Sequence, residues 1–77
     1  MSVVSAAQLR AARGLLGWSQ TDLAKNAKVG RATIADFESE KRQPYSRTLD
    51  DLRKALEDQG VEFTNGDQPG VRFKRMD

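Results

Sequence analysis

The sequence predicts a mainly α domain, four helices followed by a C-terminal β-hairpin, on three observations. Apolar residues recur at helical spacing from Ala6 to Leu56. Helix start and stop residues punctuate these runs, with Ser19 and Asp22 opening one and Gly60 closing the last. Beyond Gly60 the apolar pattern switches to strict alternation, the period of a half-buried strand.

In the first helix Leu9, Ala12 and Leu16 share one face, with Ala6 and Leu15 beside it. Ser5 is its expected cap, and Gly14 and Gly17 are expected to weaken or end it. The second helix, 20–27, has a capping box in Ser19 and Asp22, with Asp replacing the longer-reaching Glu. Trp18 precedes that cap and Leu23 stands at the fourth helical position, where a hydrophobic staple would fix the entry angle. Lys28, Val29 and Gly30 connect it to a third helix over 31–39, which turns Ile34 and Phe37 inward. Lys41-Arg42-Gln43-Pro44 reads as a basic loop, because proline disfavours helix in the residue before it. Ser46 is then the expected cap of a fourth helix over 47–59, with Leu49, Leu52, Ala55 and Leu56 buried. Gly60 is its stop.

The segments Val61-Glu62-Phe63-Thr64 and Val71-Arg72-Phe73-Lys74 flank Asn65-Gly66-Asp67-Gln68-Pro69-Gly70, which is dense in turn residues. They form a hairpin with a longer loop, Glu62 opposing Arg72 or Lys74 on its polar face. Val61, Phe63, Val71 and Phe73 share the apolar face, which must be covered because an isolated hairpin is unstable in water. The expected organisation is a four-helix unit over 1–60 and a hairpin and tail over 61–77, a candidate dimerisation element.

Composition narrows the function. A chain of 77 residues holds one small domain. It contains no Cys and no His, which removes disulfides, thiolate metal sites and the commonest general base and zinc ligand. Catalysis would then need paired carboxylates in a pocket, and Asp50-Asp51 and Glu57-Asp58 lie on a charge-rich helix instead. Thr64-Asn65-Gly66-Asp67 lacks the ligand count of a calcium loop, and no Gly-rich phosphate cradle is present. No enzyme, cofactor or metal is expected. With 38% hydrophobic and 31% charged residues the balance is that of a soluble domain. No apolar run reaches the length of a membrane span, and Met1-Ser2-Val3-Val4-Ser5 lacks the features of a signal peptide. The expected location is cytoplasmic.

Charge is segregated. Residues 1–47 carry eight Lys/Arg against four Asp/Glu, residues 48–70 two against six, and residues 71–77 three against one. A basic working region beside an acidic remainder suits a polyanionic partner.

Two short helices joined by three residues make a helix-turn-helix candidate at 20–37. With Gln20 as the first position, the geometry requires apolar residues at positions 4, 8, 10, 15 and 18, which are Leu23, Ala27, Val29, Ile34 and Phe37. Position 5, where the helices cross, must be small and is Ala24. Position 9 needs positive φ and is Lys28 instead of the usual Gly, a departure costing on the order of 1 kcal/mol.

The wider stretch, Ser19-Gln20-Thr21-Asp22-Leu23-Ala24, then Val29 to Glu38, then Lys41-Arg42-Gln43-Pro44 and Thr48-Leu49, closely resembles the Cro/phage-repressor or XRE family of small bacterial and phage regulators. The resemblance spans about residues 5–59. It departs from the family at Lys28, at Gly30 where Ser is commoner, and in having a hairpin instead of a fifth helix.

The resemblance implies a phage-repressor-like fold whose third helix lies in the major groove of double-stranded DNA. Arg31 suits guanine O6 and N7 bidentately, Ala32 suits a thymine methyl, and Thr33 suits a base or phosphate. Asp36 would accept from cytosine N4 or else stand as a solvated or paired charge. Gln20 resembles the family residue that binds phosphate and buttresses the reading side chains, with Ser19 and the helix start beside it. Lys28, Lys41 and Arg42 would follow the DNA backbone. Arg72, Lys74 and Arg75 would either touch DNA or solubilise the tail. The resemblance also pairs Arg13 with Glu38 in a structural salt bridge. Trp18 reads as a core staple rather than a stacking platform.

The expected function is therefore a sequence-specific regulator, a homodimeric repressor or autoregulator on a (pseudo)palindromic operator. The dimer would use the hairpin, helix four or both. No small-molecule ligand or membrane partner is expected, while the acidic segment makes RNA polymerase a candidate partner. The alternative is an antitoxin or regulator-antagonist acting through protein contacts.

Overall fold

The computed structural model describes residues 4–65 and 69–74. The centre of the hairpin loop (66–68) and Arg75 lie outside the described residues. The chain forms α1 (Ala6–Leu16), α2 (Gln20–Ala27), α3 (Arg31–Glu38), α4 (Ser46–Glu57), β1 (Val61–Thr64) and β2 (Gly70–Phe73). This is the predicted four-helix architecture with a C-terminal antiparallel hairpin.

Two helices begin with complete capping boxes. The Ser5 hydroxyl accepts the Gln8 backbone N–H at 3.1 Å, while Gln8 Oε1 accepts the Ser5 N–H at 2.9 Å. Ser19 and Asp22 exchange the equivalent pair, both at 3.0 Å. Such an arrangement satisfies two otherwise orphaned donors at each helix start. The backbone and hydroxyl hydrogen bonds from Ser19 hold the Asp22 carboxyl below its ordinary pKa.

Of the two glycines expected to weaken or end α1, Gly17 ends it, its φ of 68° making the left-handed cap that glycine adopts freely, while the helix runs through Gly14. Two local expectations are corrected. Ser46 is not the cap of α4 but its first helical residue. Tyr45 holds the N-cap position without a side-chain bond, because its extended backbone presents the carbonyl that receives the Leu49 N–H at 3.0 Å. α4 stops at Glu57 rather than 59, because the chain tightens there into three-residue turns, Gln59 to the Leu56 carbonyl and Gly60 to that of Glu57.

The core gathers one face from every helix. Leu9, Leu23, Ile34, Leu52 and Leu56 are fully buried, with Ala12, Phe37 and Leu49 around them. α2 packs on α3 and α4, and α1 on α3. Ala24, Ala27 and Val29 pack against this core, as does half-buried Trp18. Lys28 adopts φ 58°, the left-handed turn conformation that its position demands. Glu40 is a second such residue, with φ 62°, where the chain leaves α3.

The hairpin pairs Val61 with Phe73, Glu62 with Arg72, Phe63 with Val71 and Thr64 with Gly70. Arg72 Nε lies 2.7 Å from Glu62 Oε1, so Arg72 rather than Lys74 is Glu62's partner. The hairpin lies against α1 and α4, and Val61 is buried in the helical core. Gln8 fastens it at the loop end, its buried Nε2 donating to the carbonyls of Thr64 at 2.9 Å and Gly70 at 3.1 Å. Among the described residues, no helix is long and apolar enough to cross a membrane.

Candidate nucleic-acid interface

The first turn of α3 is exposed. Ile34 and Phe37 anchor one side of α3 in the core, leaving Arg31, Ala32 and Thr33 exposed. Asp36 is half-buried, and its carbonyl receives the N–H groups of Lys41 at 2.8 Å and Arg42 at 3.3 Å. The basic loop is thereby tied back to α3 by its own backbone, with the Lys41 and Arg42 side chains exposed.

Behind this surface lies a charged anchor. Arg13 on α1 meets Glu38 at the end of α3 in a bidentate pair, Nη2 to Oε1 at 2.6 Å and Nε to Oε2 at 2.7 Å. The Glu38 side chain is only 4% exposed and that of Arg13 19%. Arg13 Nη1 also donates to the Trp18 carbonyl at 2.9 Å, and Arg10 donates to the Glu38 carbonyl. Burial pushes the Glu38 carboxyl upward in pKa. The hydrogen bonds from Arg13 and Gln20 and the positive field of Arg13 and Arg10 outweigh this and hold it below the usual carboxylate range. The hydrogen bond to Glu38 raises Arg13 in turn.

Gln20 connects anchor and surface. Its Nε2 donates to Glu38 Oε1 at 3.1 Å, and its Oε1 accepts from Arg31 Nη1 at 3.4 Å. Arg13, Glu38, Gln20 and Arg31 therefore form one continuous chain of polar contacts. Ser19 stands next to it, its hydroxyl engaged as the α2 cap.

The other predicted backbone residues fall in two places. Lys28 and Arg42 line a single groove with Thr33 and Tyr45, whereas Lys41 and Arg42 border another with Ser5 and Phe37. Of the four apolar hairpin residues, Val61 is enclosed within the core of the chain, Phe63 and Val71 are half-buried, and Phe73 is 52% exposed.

Sequence reasoning missed three contributors. Arg10 supports Glu38, Gln8 holds the hairpin, and Tyr45, 86% exposed, stands beside the Arg42 groove. The signal for Gln8 was its place three residues after Ser5, the capping-box spacing. Tyr45 was marked only by following the basic loop directly.

A surface that exposes Arg31 and Thr33 on a short helix and Lys41 and Arg42 on the next loop, backed by a largely buried ion pair, can receive a polyanion and present hydrogen-bond donors to it. A family model described as helix-turn-helix matches residues 9–57. No curated protein matches the chain.

Proposed function

The chain belongs to the helix-turn-helix family of the Cro/phage-repressor (XRE) type, a family of DNA-binding transcriptional regulators, and we propose that within it this protein is a sequence-specific homodimeric repressor or autoregulator. One observation carries the reading. The exposed turn Arg31-Ala32-Thr33 leads a helix whose other side is fixed in the core, the geometry by which such a helix enters the major groove.

In that complex Arg31 reads guanine through its paired N–H groups, and Ala32 packs on a thymine methyl. Thr33 contacts a base or phosphate, and Asp36 accepts from a cytosine amino group at the edge of the footprint. Ser19, Gln20 and the start of α2 face one phosphate run, with Lys28, Lys41 and Arg42 following the backbone. These backbone contacts set register and affinity without selecting a sequence.

One helix pair covers only a few base pairs, so two copies on half-sites about one helical turn apart complete the operator. The exposed Phe73, with Phe63 and Val71 beside it, supports the hairpin as the joining surface. Repression then follows from occupying a promoter.

The test is selection of bound duplexes from a random pool with wild type and Arg31→Ala in parallel. The expected result is a motif of two symmetric half-sites, with one position relaxed in the variant. Weak, salt-sensitive retention of all duplexes, with no enriched motif, would overturn the reading and favour a protein-contact role.

A further inference from the structure

We infer that Tyr45 is a DNA-contacting residue, its hydroxyl donating to a phosphate of the strand that lies in the groove between the α2–α3 turn and the start of α4. The inference rests on the proposed reading of DNA by α3 and extends that interface to α4.

The first observation is a local rule that Tyr45 breaks. It holds the N-cap position of α4, where Ser, Thr, Asp or Asn would accept a backbone N–H of the first turn. A phenol oxygen stands too far from its own backbone to bend onto that turn, and Tyr45 makes no such bond. Ser46, a good capping residue, comes one position too late to replace it. The ring is not packed either, being 86% exposed against 52% for Phe73 and 38% for Leu15. Tyr45 therefore supplies neither a cap nor burial. A residue so at odds with its local structure is expected chiefly at a functional position.

The second observation is what surrounds it. Tyr45 lines one groove with Lys28, Thr33, Arg42, Thr48 and Asp51. Thr33 belongs to the exposed turn of α3, so the groove opens beside the helix that enters the major groove. The strands that border a major groove present phosphate and sugar there. Phosphate oxygens accept from Lys, Arg, Thr and Tyr side chains, the donors that this groove gathers. Lys28 and Arg42 are exposed, and among the described residues neither has a carboxylate partner. The Tyr45 hydroxyl likewise has a proton to donate and, among the described residues, no acceptor.

Asp51 is the one carboxylate in the groove. Tyr45, Thr48 and Asp51 follow at three-residue spacing, which sets Asp51 about 9 Å beyond Tyr45 along the axis of α4. Its charge repels phosphate from the far end of the groove and leaves the end nearest Tyr45 and Arg42 to the anion.

The chemistry gives Tyr45 a signature of its own. Losing a cation such as Arg42 weakens binding to every sequence and lowers the salt slope by about one. Losing a base-reading side chain relaxes one base pair. A neutral hydroxyl displaces no counterion, so its loss weakens every sequence alike and leaves the salt slope unchanged.

The experiment titrates the full chain as wild type, Tyr45→Phe and Arg42→Gln against the selected duplex and a random duplex across salt concentration. Tyr45→Phe removes one oxygen from an exposed ring, so its unfolding midpoint is expected to match the wild type. It is expected to bind both duplexes about fivefold more weakly, the loss of one hydrogen bond to a charged acceptor, at an unchanged salt slope. Selected duplexes carrying a single neutral methylphosphonate are then titrated with wild type and Tyr45→Phe. At the phosphate that Tyr45 contacts the two proteins are expected to bind equally, while at every other position their difference persists. Tyr45 is the chain's one tyrosine, so fluorotyrosine labelling yields a single fluorine NMR signal, which is expected to move when either duplex is added.

Three results overturn the inference while leaving the sequence-specific reading standing. They are equal binding by wild type and Tyr45→Phe, a difference that survives at every methylphosphonate position, and a fluorine signal that DNA does not move. A loss in Tyr45→Phe confined to one base pair would make Tyr45 a base reader and overturn the phosphate contact. A wild type that binds no duplex overturns the reading itself, and the inference with it.

Discussion

Arg13 and Glu38 join α1 to α3 through two hydrogen bonds of 2.6 and 2.7 Å across 25 residues of chain. The carboxylate is nearly sealed from water and the guanidinium only partly so. Removing either partner strands a buried charge or its unsatisfied ligand, which is costlier than the pair's net contribution to stability.

Arg13→Met should therefore destabilise the fold by about 2–4 kcal/mol, somewhat under the loss expected for a fully buried pair. Because the folded Glu38 carboxyl titrates below its unfolded value, its contribution is complete above the unfolded pKa of roughly 4.3. That contribution is lost as pH falls through the lower folded value. Urea unfolding at a series of pH values from neutral to acidic would show it. The wild-type midpoint should fall more steeply on acidification than that of Glu38→Gln, and parallel curves would contradict the assignment.

Lys28 gives two effects of opposite sign. It occupies the left-handed region at the end of α2, where a Cβ is strained and glycine is not. Lys28→Gly should stabilise the domain by about 1 kcal/mol in thermal or chemical unfolding. If the exposed ammonium contacts a phosphate, the same variant binds DNA more weakly, and its log Kd against log salt slope falls by about one. An unchanged slope would remove Lys28 from the interface.

Gln8 makes the hairpin's fastening testable. Gln8→Leu keeps the bulk at a site that is 5% exposed but withdraws the donor from the carbonyls of Thr64 and Gly70. Loss of these part-buried bonds should cost about 1–3 kcal/mol. Hydrogen exchange should then quicken at the β1 and β2 amides before it does in α2 and α3. Uniform quickening would mean that the hairpin and helices open as one unit.

Phe73 separates self-association from folding. Half of it is exposed in the single chain, so Phe73→Glu should shift unfolding by no more than about 0.5 kcal/mol. Sedimentation should move from dimer to monomer if the hairpin joins two copies. Removing the whole segment from Val61 onward is a poorer test, because Val61 belongs to the core of the single chain. A Phe73→Glu protein that remains dimeric would direct attention to α4.

The helices were legible because their signals are local. Apolar spacing placed Leu9, Leu23, Ile34 and Leu52 in the core, and Ser19 with Asp22 marked the start of α2. The left-handed turn at Lys28 was legible even with an ill-suited residue, because the geometry of the two helices dictates its φ. Ser46 misled because a good capping side chain says nothing about which backbone carbonyl begins the helix. The chain of polar contacts through Gln20 depends on side chains from α1, α2 and α3 meeting at distances that no sequence spacing encodes. Arg13 and Glu38 were paired by resemblance, whereas Arg10 and Gln8, two surface-type residues on an amphipathic helix, carried no mark of their long-range partners.

The attachment of Gln8 also orders the assembly of the molecule in time. Contacts between α2 and α3 are close along the chain, the Arg13–Glu38 bond spans 25 residues, and those from Gln8 span 56 and 62. Closing a longer loop demands more entropy and comes late unless other contacts have shortened the search. The helix pair is therefore expected to take shape before the ends of the chain meet, an order that mutational folding kinetics would test. During synthesis the second strand must emerge before Gln8 can complete its bonds.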